Sequence, residues 1–137
     1  NEPSHHVAYL YTLAGQPHKT QQLVNHIMRT LYNTSSSGYA GNDDCGEMSA
    51  WYIFSTLGFY PVNPASGEYI IGSPLIDRAA INVGNGRKFE IIVNKESDEN
   101  AIYVYKITIN GKEITDFKLP HKAIVDGGTL QIWLTSK

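Results

Sequence analysis

The spacing of hydrophobic residues changes period once along this chain, and that change limits the fold more than any other feature. Up to about residue 60 the apolar side chains recur at helical spacing, and beyond Pro64 they alternate. Ser4 stands where it can cap a helix whose Val7, Tyr11 and Ala14 share one face and which Gly15 ends. Pro17 opens a second helix, with Leu23, Ile27 and Leu31 as its stripe and Val24 and Met28 beside it; together the two predict an antiparallel hairpin. After the polar stretch NTSSSGYAG, a third helix is predicted over about 45–57, ended by Gly58 and Pro61. It is apolar on nearly every side and is expected to be buried.

The second half reads as strands. In AIYVYKITING the residues Tyr103, Tyr105, Ile107 and Ile109 fall on one face, which argues that the tyrosines belong to a core. Asn110-Gly111 supplies a tight hairpin turn into KEIT, VGNGRK a turn into KFEIIVN, and TLQIWLT a further strand. The expected fold class is therefore α+β: helices over 1–62, then a small antiparallel sheet or sandwich over 63–137, with the boundary marked by the Gly, Pro and Asn residues around 61–74.

Composition narrows the function. Of 137 residues, 42% are hydrophobic and 18% charged, the balance of an ordinary globular domain. The formal net charge is −2 and the basic residues are scattered, which excludes the footprint of a nucleic-acid or anionic-membrane binder. The apolar stretch 48–62 is interrupted by Ser49, Ser55, Thr56 and Gly58 and is too short to span a bilayer. A single cysteine, Cys45, rules out both an internal disulfide and a cysteine-rich zinc site. The chain opens on Asn1 with no leader-like pattern, as expected of a piece of a longer polypeptide.

The residues with the most chemistry lie in YAGNDDCGEMSAW. Asp44 stands three positions before Glu47, the spacing of a capping box in which each side chain satisfies a backbone N–H at the helix start. Yet Asn42, Asp43 and Asp44 between Gly41 and Gly46 are more polar groups than one cap needs. A carboxylate there can take a proton from water or bind a hard cation, although the spacing is not that of an EF-hand. Asn1 and Glu2 carry the same ambiguity, since a negative side chain before a helix is favoured by the dipole alone. His5 and His6 project about 100° apart and cannot clamp one metal, so one is expected packed and the other exposed. His18 and His26 have no partner in the sequence. Ser49 lacks the glycines of a nucleophile elbow, and Cys45 has no histidine nearby.

Two long motifs, NEPSHHVAYLYTLAGQPHKTQ and GNDDCGEMSAWYIFSTLGFYPVNPASGEYIIGSP, closely resemble the C-terminal part of glycoside hydrolase family 92, the calcium-dependent exo-acting α-mannosidases of bacteria. The resemblance covers residues 1–76 and continues loosely through the strands. It implies that the helices close an (α/α)6 catalytic barrel, that the rest of the same polypeptide supplies an N-terminal β-sandwich and the earlier barrel helices, and that the substrate is a mannose-containing glycan. The implied reaction is inverting hydrolysis of terminal, most often 1,2-linked, α-mannosides. Such a reaction needs two carboxylates about 6.5–9.5 Å apart, one protonating the leaving oxygen and one activating water.

By motif position Asp44 resembles the general base. Asn42 stands where many relatives carry a second aspartate that assists it; an amide can orient water but cannot share its proton. The family's general acid, a glutamate, would lie upstream of Asn1, so the chain alone should have no turnover. In the family, calcium sits beneath the sugar's 2- and 3-hydroxyls; Glu2, Asn1 and Asp44 are its ligand candidates here. Asp43 is expected to orient the turn, Glu47 to cap the helix, and Trp51 and Tyr52 to be core. The resemblance also implies a periplasmic, extracellular or cell-surface location. The rival readings are a non-catalytic carbohydrate-binding module, stacking sugars on Tyr103, Tyr105 or Trp133, and a purely structural interdomain module.

Overall fold

The computed structural model describes residues Asn1–Lys137 and stacks three layers: helices, a three-stranded sheet and a five-stranded sheet. A single 3-10 turn, Glu2–Ser4, leads into α1 (Val7–Leu13), which packs on α2 (Pro17–Thr30), and α3 (Glu47–Leu57) follows the polar loop. Ser4 does not cap α1; its hydroxyl donates to the Asn1 carbonyl at 3.0 Å and closes the 3-10 turn instead. Gly58 ends α3 as expected: at φ 104° its N–H reaches back to the carbonyls of Phe54 and Ser55.

The stripe read on α1 faces outward, and the one read on α2 is split, with Ile27, Val24 and Met28 packed inward and Leu23 and Leu31 turned out. Val7 and Tyr11 are exposed, while Ala8 and Tyr9 are the buried pair of α1; on α2 the buried residues are Val24 and Met28 with Thr20, Gln21 and Asn25, and Leu23 and Leu31 are exposed. Nor is α3 buried on every side, since only Met48, Trp51 and Ser55 are enclosed and Ile53 is 59% exposed. Periodicity finds an apolar stripe but does not say which of two stripes this chain covers.

Strand β1 (Phe59–Tyr60) pairs with β2 (Glu68–Ile71), which also pairs with β7 (Lys118–Pro120), all antiparallel. Alternation gives this short sheet two working faces. Phe59, Tyr69, Ile71 and Leu119 pack with the larger sheet, whereas Tyr60 and Ile70 pack with the helices around Tyr9, Val24, Met28 and Trp51. The larger sheet has the order β3-β4-β8-β5-β6, formed by β3 (Arg78–Gly84), β4 (Arg87–Lys95), β5 (Tyr103–Ile109), β6 (Lys112–Ile114) and β8 (Gly128–Thr135). The Asn110-Gly111 turn joins β5 to β6 with both residues at positive φ, 51° and 81°, as its sequence requires. A short helix α4 (His121–Val125) leads from β7 into β8.

Two sequence expectations fail in this sheet. It is mixed, not antiparallel, because β4 and β8 run parallel from Phe89↔Gly128 to Lys95↔Leu134. They are joined by the intervening strands and α4, a long connection of the kind that parallel pairing needs. In β5 the register shifts between Val104 and Lys106, so Tyr105 is an extra residue pushed out of the ladder. Val104 and Ile107 are thereby turned inward, and Tyr105 is 59% exposed, outside the core face that strict alternation assigned to it.

Candidate functional site

The acidic turn is built from backbone conformations that L-residues rarely adopt. Asp44, Cys45 and Gly46 follow one another at φ 47°, 59° and 95°, so α3 starts only at Glu47, with Gly46 as its N-terminal flank. Three left-handed residues carry Asp44 out of capping position and bring Asp43 into it. The Ser49 N–H and hydroxyl donate to Asp43 Oδ1 at 3.1 and 2.8 Å, and the Met48 N–H donates to the Asp43 carbonyl at 3.2 Å. Asp43 thus satisfies the helix start. The Asp44–Glu47 capping box does not form.

Asp44 is left exposed, with its carboxylate outside the cap, and Asn42 is exposed beside it. Asn1 and Glu2, also exposed, lie on the 3-10 turn near this loop: a Cβ placed on Gly41 would stand 4.0 Å from Asn1 Oδ1. Two segments about forty residues apart are therefore neighbours. No group of three His, Cys, Asp or Glu side chains converges anywhere in the chain.

Glu47, expected at the cap, points into the helical layer instead. His5 Nδ1 stands 2.8 Å from each of its carboxylate oxygens, with the hydrogen bond directed at Oε1 and Oε2 left buried without one of its own. The Tyr60 hydroxyl donates to Oε1 at 3.3 Å. His5 is buried and His6 exposed, as the sequence predicted, and the His5 carbonyl accepts from Trp51 Nε1 at 3.0 Å. Sequence reading missed this cluster, whose members lie 42 and 13 positions apart and carry no local pattern.

Around it is a nest of aromatic rings. Trp51, fully buried, lies parallel to Tyr32 at 6.0 Å and against His5 at 5.0 Å. Burial, then the negative charges of Glu47 and Asp43, push the Tyr32 phenol up to about 12. Tyr60 is likewise pushed up to about 12, by burial first, then by the charge and hydrogen bond of Glu47, with Glu2 adding to it. The Tyr39 hydroxyl is raised by desolvation and by Asp43 next to it. Tyr52 is only half-buried and, with Tyr32, Tyr39 and Ser49, lines an open cleft of about 600 Å³.

The remaining candidates are quieter. Cys45 is a free, exposed thiol, and His18 and His26 are exposed on α2. On the sheet, the Lys106 ammonium stands 4.9 Å over the ring of Trp133, which leaves that face occupied and weakens the reading of the strands as a sugar-stacking platform. No helix is long and apolar enough to cross a membrane.

The exposed Asp44 turn beside the Asn1–Glu2 segment is the polar feature of the helical layer, and comparison with known proteins gives the chain its family. Residues 1–136 match the glycosyl hydrolase family 92 catalytic domain, and the chain belongs to that family. It is 39% identical to the family GH92 α-mannosidase BT3965 of Bacteroides thetaiotaomicron, a structure also determined with mannoimidazole, and superposes on it over 100% of its own length and 18% of that chain with a TM-score of 0.92. For the family GH92 inverting mannosidase BT2199 of the same organism the identity is 40% and the TM-score 0.90, with the same coverage. A protein of Arthroderma benhamiae described as an uncharacterized secreted glycosidase is 32% identical over 136 residues, 98% of this chain and 18% of that one. The similar proteins thus come from a fungus as well as a bacterium. The chain spans less than a fifth of the length of these relatives.

Proposed function

We propose that this chain forms the last helices and closing strands of an (α/α)6 catalytic domain in an exo-acting, inverting α-mannosidase, and that Asp44 is its general base. The observation that carries the reading is the exchange of roles at the acidic turn: Asp43 caps α3, so Asp44 is held out on left-handed backbone with its carboxylate free. Backbone strain of this kind persists where the surroundings enforce it, and it concentrates at working sites. In the proposed reaction the Asp44 carboxylate takes a proton from the attacking water, and Asn42 beside it orients that water. A glutamate from the rest of the polypeptide protonates the leaving oxygen. The substrate class is terminal α-mannosides of glycans, 1,2-linked ones foremost, and the chain alone has no turnover because it holds one of the two carboxylates the reaction needs.

Asn1, Glu2 and Asp44 fit calcium in donor chemistry, all being hard oxygen ligands. Too few acidic side chains converge here for a complete site, so the other ligands belong to the rest of the polypeptide. When bound, the ion supplies electrostatic contact to sugar hydroxyls. Secretion of the fungal relative supports an extracellular or periplasmic location.

The test is mannose release from α-1,2-mannobiose by the full-length parent protein. Loss of a general base costs about 10²–10⁴-fold, so Asp44→Asn should fall by that much with its fold intact, and chelation of calcium should abolish turnover. Near-normal turnover of Asp44→Asn would remove Asp44 from the mechanism.

A further inference from the structure

We propose that Glu47 and His5 form the positioning element of the site: a part-buried clamp that fixes the Asn1–Glu2 segment against the acidic turn. The inference rests on the functional reading above and concerns residues to which that reading gives no part.

The side chain and the carbonyl of His5 are both held from the first two turns of α3. Glu47 approaches Nδ1 with both oxygens at 2.8 Å, the indole N–H of Trp51 holds the His5 carbonyl at 3.0 Å, and the Trp51 ring lies on the imidazole at 5.0 Å. Glu47 and Trp51 are four positions apart on one helix, hence on one face. At each end of the clamp sits a functional segment. His5 directly follows the 3-10 turn, its own N–H bonded to the Glu2 carbonyl at 3.2 Å, and Glu47 directly follows the left-handed run that displays Asp44.

Stability alone does not account for the arrangement. A carboxylate drawn partly out of water is costly, and a polar pair of this kind can often be replaced by apolar side chains of similar volume without loss. Position 47 stands beside the Tyr60 and Tyr32 phenols, the first of which donates to its carboxylate. The pair adds direction instead: a short hydrogen bond between Nδ1 and Oε1, with Oε2 equally close, across 42 positions of sequence. Groups held this way are what keep catalytic side chains within fractions of an ångström of working geometry.

The experiment uses the full-length parent protein and the variants Glu47→Gln, His5→Leu and His5→Asn, with Asp44→Asn alongside. Glu47→Gln and His5→Leu are expected to lower kcat by about 10- to 100-fold, the range for groups that orient a site residue, with KM within about twofold. They should also speed amide hydrogen exchange at Ser4 and His5. His5→Asn keeps a donor where Nδ1 stands and should lose less than His5→Leu. Unchanged kcat in Glu47→Gln while Asp44→Asn is inactive overturns the clamp and leaves the functional reading standing. Reduced kcat with unaltered exchange at Ser4 and His5 also overturns it, because Glu47 would then act at the reacting atoms. Near-normal turnover of Asp44→Asn defeats the functional reading itself. If Glu47→Gln fails to fold, the difference between His5→Leu and His5→Asn decides the matter: equal losses in kcat refute the clamp.

Discussion

At the scale of single residues, the acidic turn divides labour between two adjacent aspartates that the sequence cannot tell apart. Either can precede a helix, and the spacing to Glu47 favoured Asp44. The outcome depends on backbone dihedrals at Asp44, Cys45 and Gly46, and only the glycine advertises a left-handed conformation in advance. Because Asp43 is the cap, Asp43→Ala should destabilise the parent protein by about 0.5–2 kcal/mol, while Asp43→Asn, which keeps an acceptor, should cost less. Urea unfolding of the two variants checks this; equal losses would mean that charge, not capping, is what Asp43 supplies. The raised phenols make a second prediction. Burial first, and then the Glu47 charge, push the Tyr32 and Tyr60 phenols up to about 12 from an ordinary 10.0, so folding favours their neutral forms. Below pH 10 that contribution is complete. Between about pH 10 and 12 the unfolded chain releases protons the folded one retains, so stability falls and is lost as pH passes the folded values. Thermal midpoints should drop over that interval, and Tyr60→Phe should shallow the drop.

At the scale of elements, α3 and the main strands were legible because their patterns are local. The Gly58 stop, the Asn110-Gly111 turn and the alternation of KFEIIVN and TLQIWLT each settle within a few residues. Strands β1, β2 and β7 are two to four residues long and have too few positions to show a period. The parallel pairing of β4 with β8 and the bulge at Tyr105 depend on partners distant in sequence. One side chain joins these levels. Gln21 of α2, 2% exposed, accepts the Val104 N–H at 3.1 Å next to the bulge, tying the helical layer to the large sheet. Gln21→Leu would keep the volume and strand a buried donor, at an expected cost of about 1–3 kcal/mol. A denaturation midpoint indistinguishable from wild type would show that water or a backbone shift satisfies Val104 instead.

At the scale of the whole molecule, the misplaced stripes become informative. Val7, Leu10 and Leu13 on α1, Leu23 on α2, Leu31 just after it and Ile53 on α3 are all at least 36% exposed, although each of these helices also buries an apolar face within the chain. A helix apolar on two sides is made to be enclosed on both. The sequence reported the sum of two interfaces, of which this chain satisfies only one: Val24, Ile27 and Met28 pack inward while Leu23 and Leu31 face out. The polypeptide beyond the matched stretch, which makes up most of each relative, is the expected cover. The prediction is a difference between two contexts. In the isolated chain, Leu13→Ala and Ile53→Ala remove exposed groups and should each change stability by no more than about 0.5 kcal/mol. In the full-length parent the same substitutions should empty a packed interface and cost about 2–5 kcal/mol apiece. Denaturation of both proteins with both variants makes the comparison, and equal effects in the two contexts would mean that this face stays in water in the complete polypeptide.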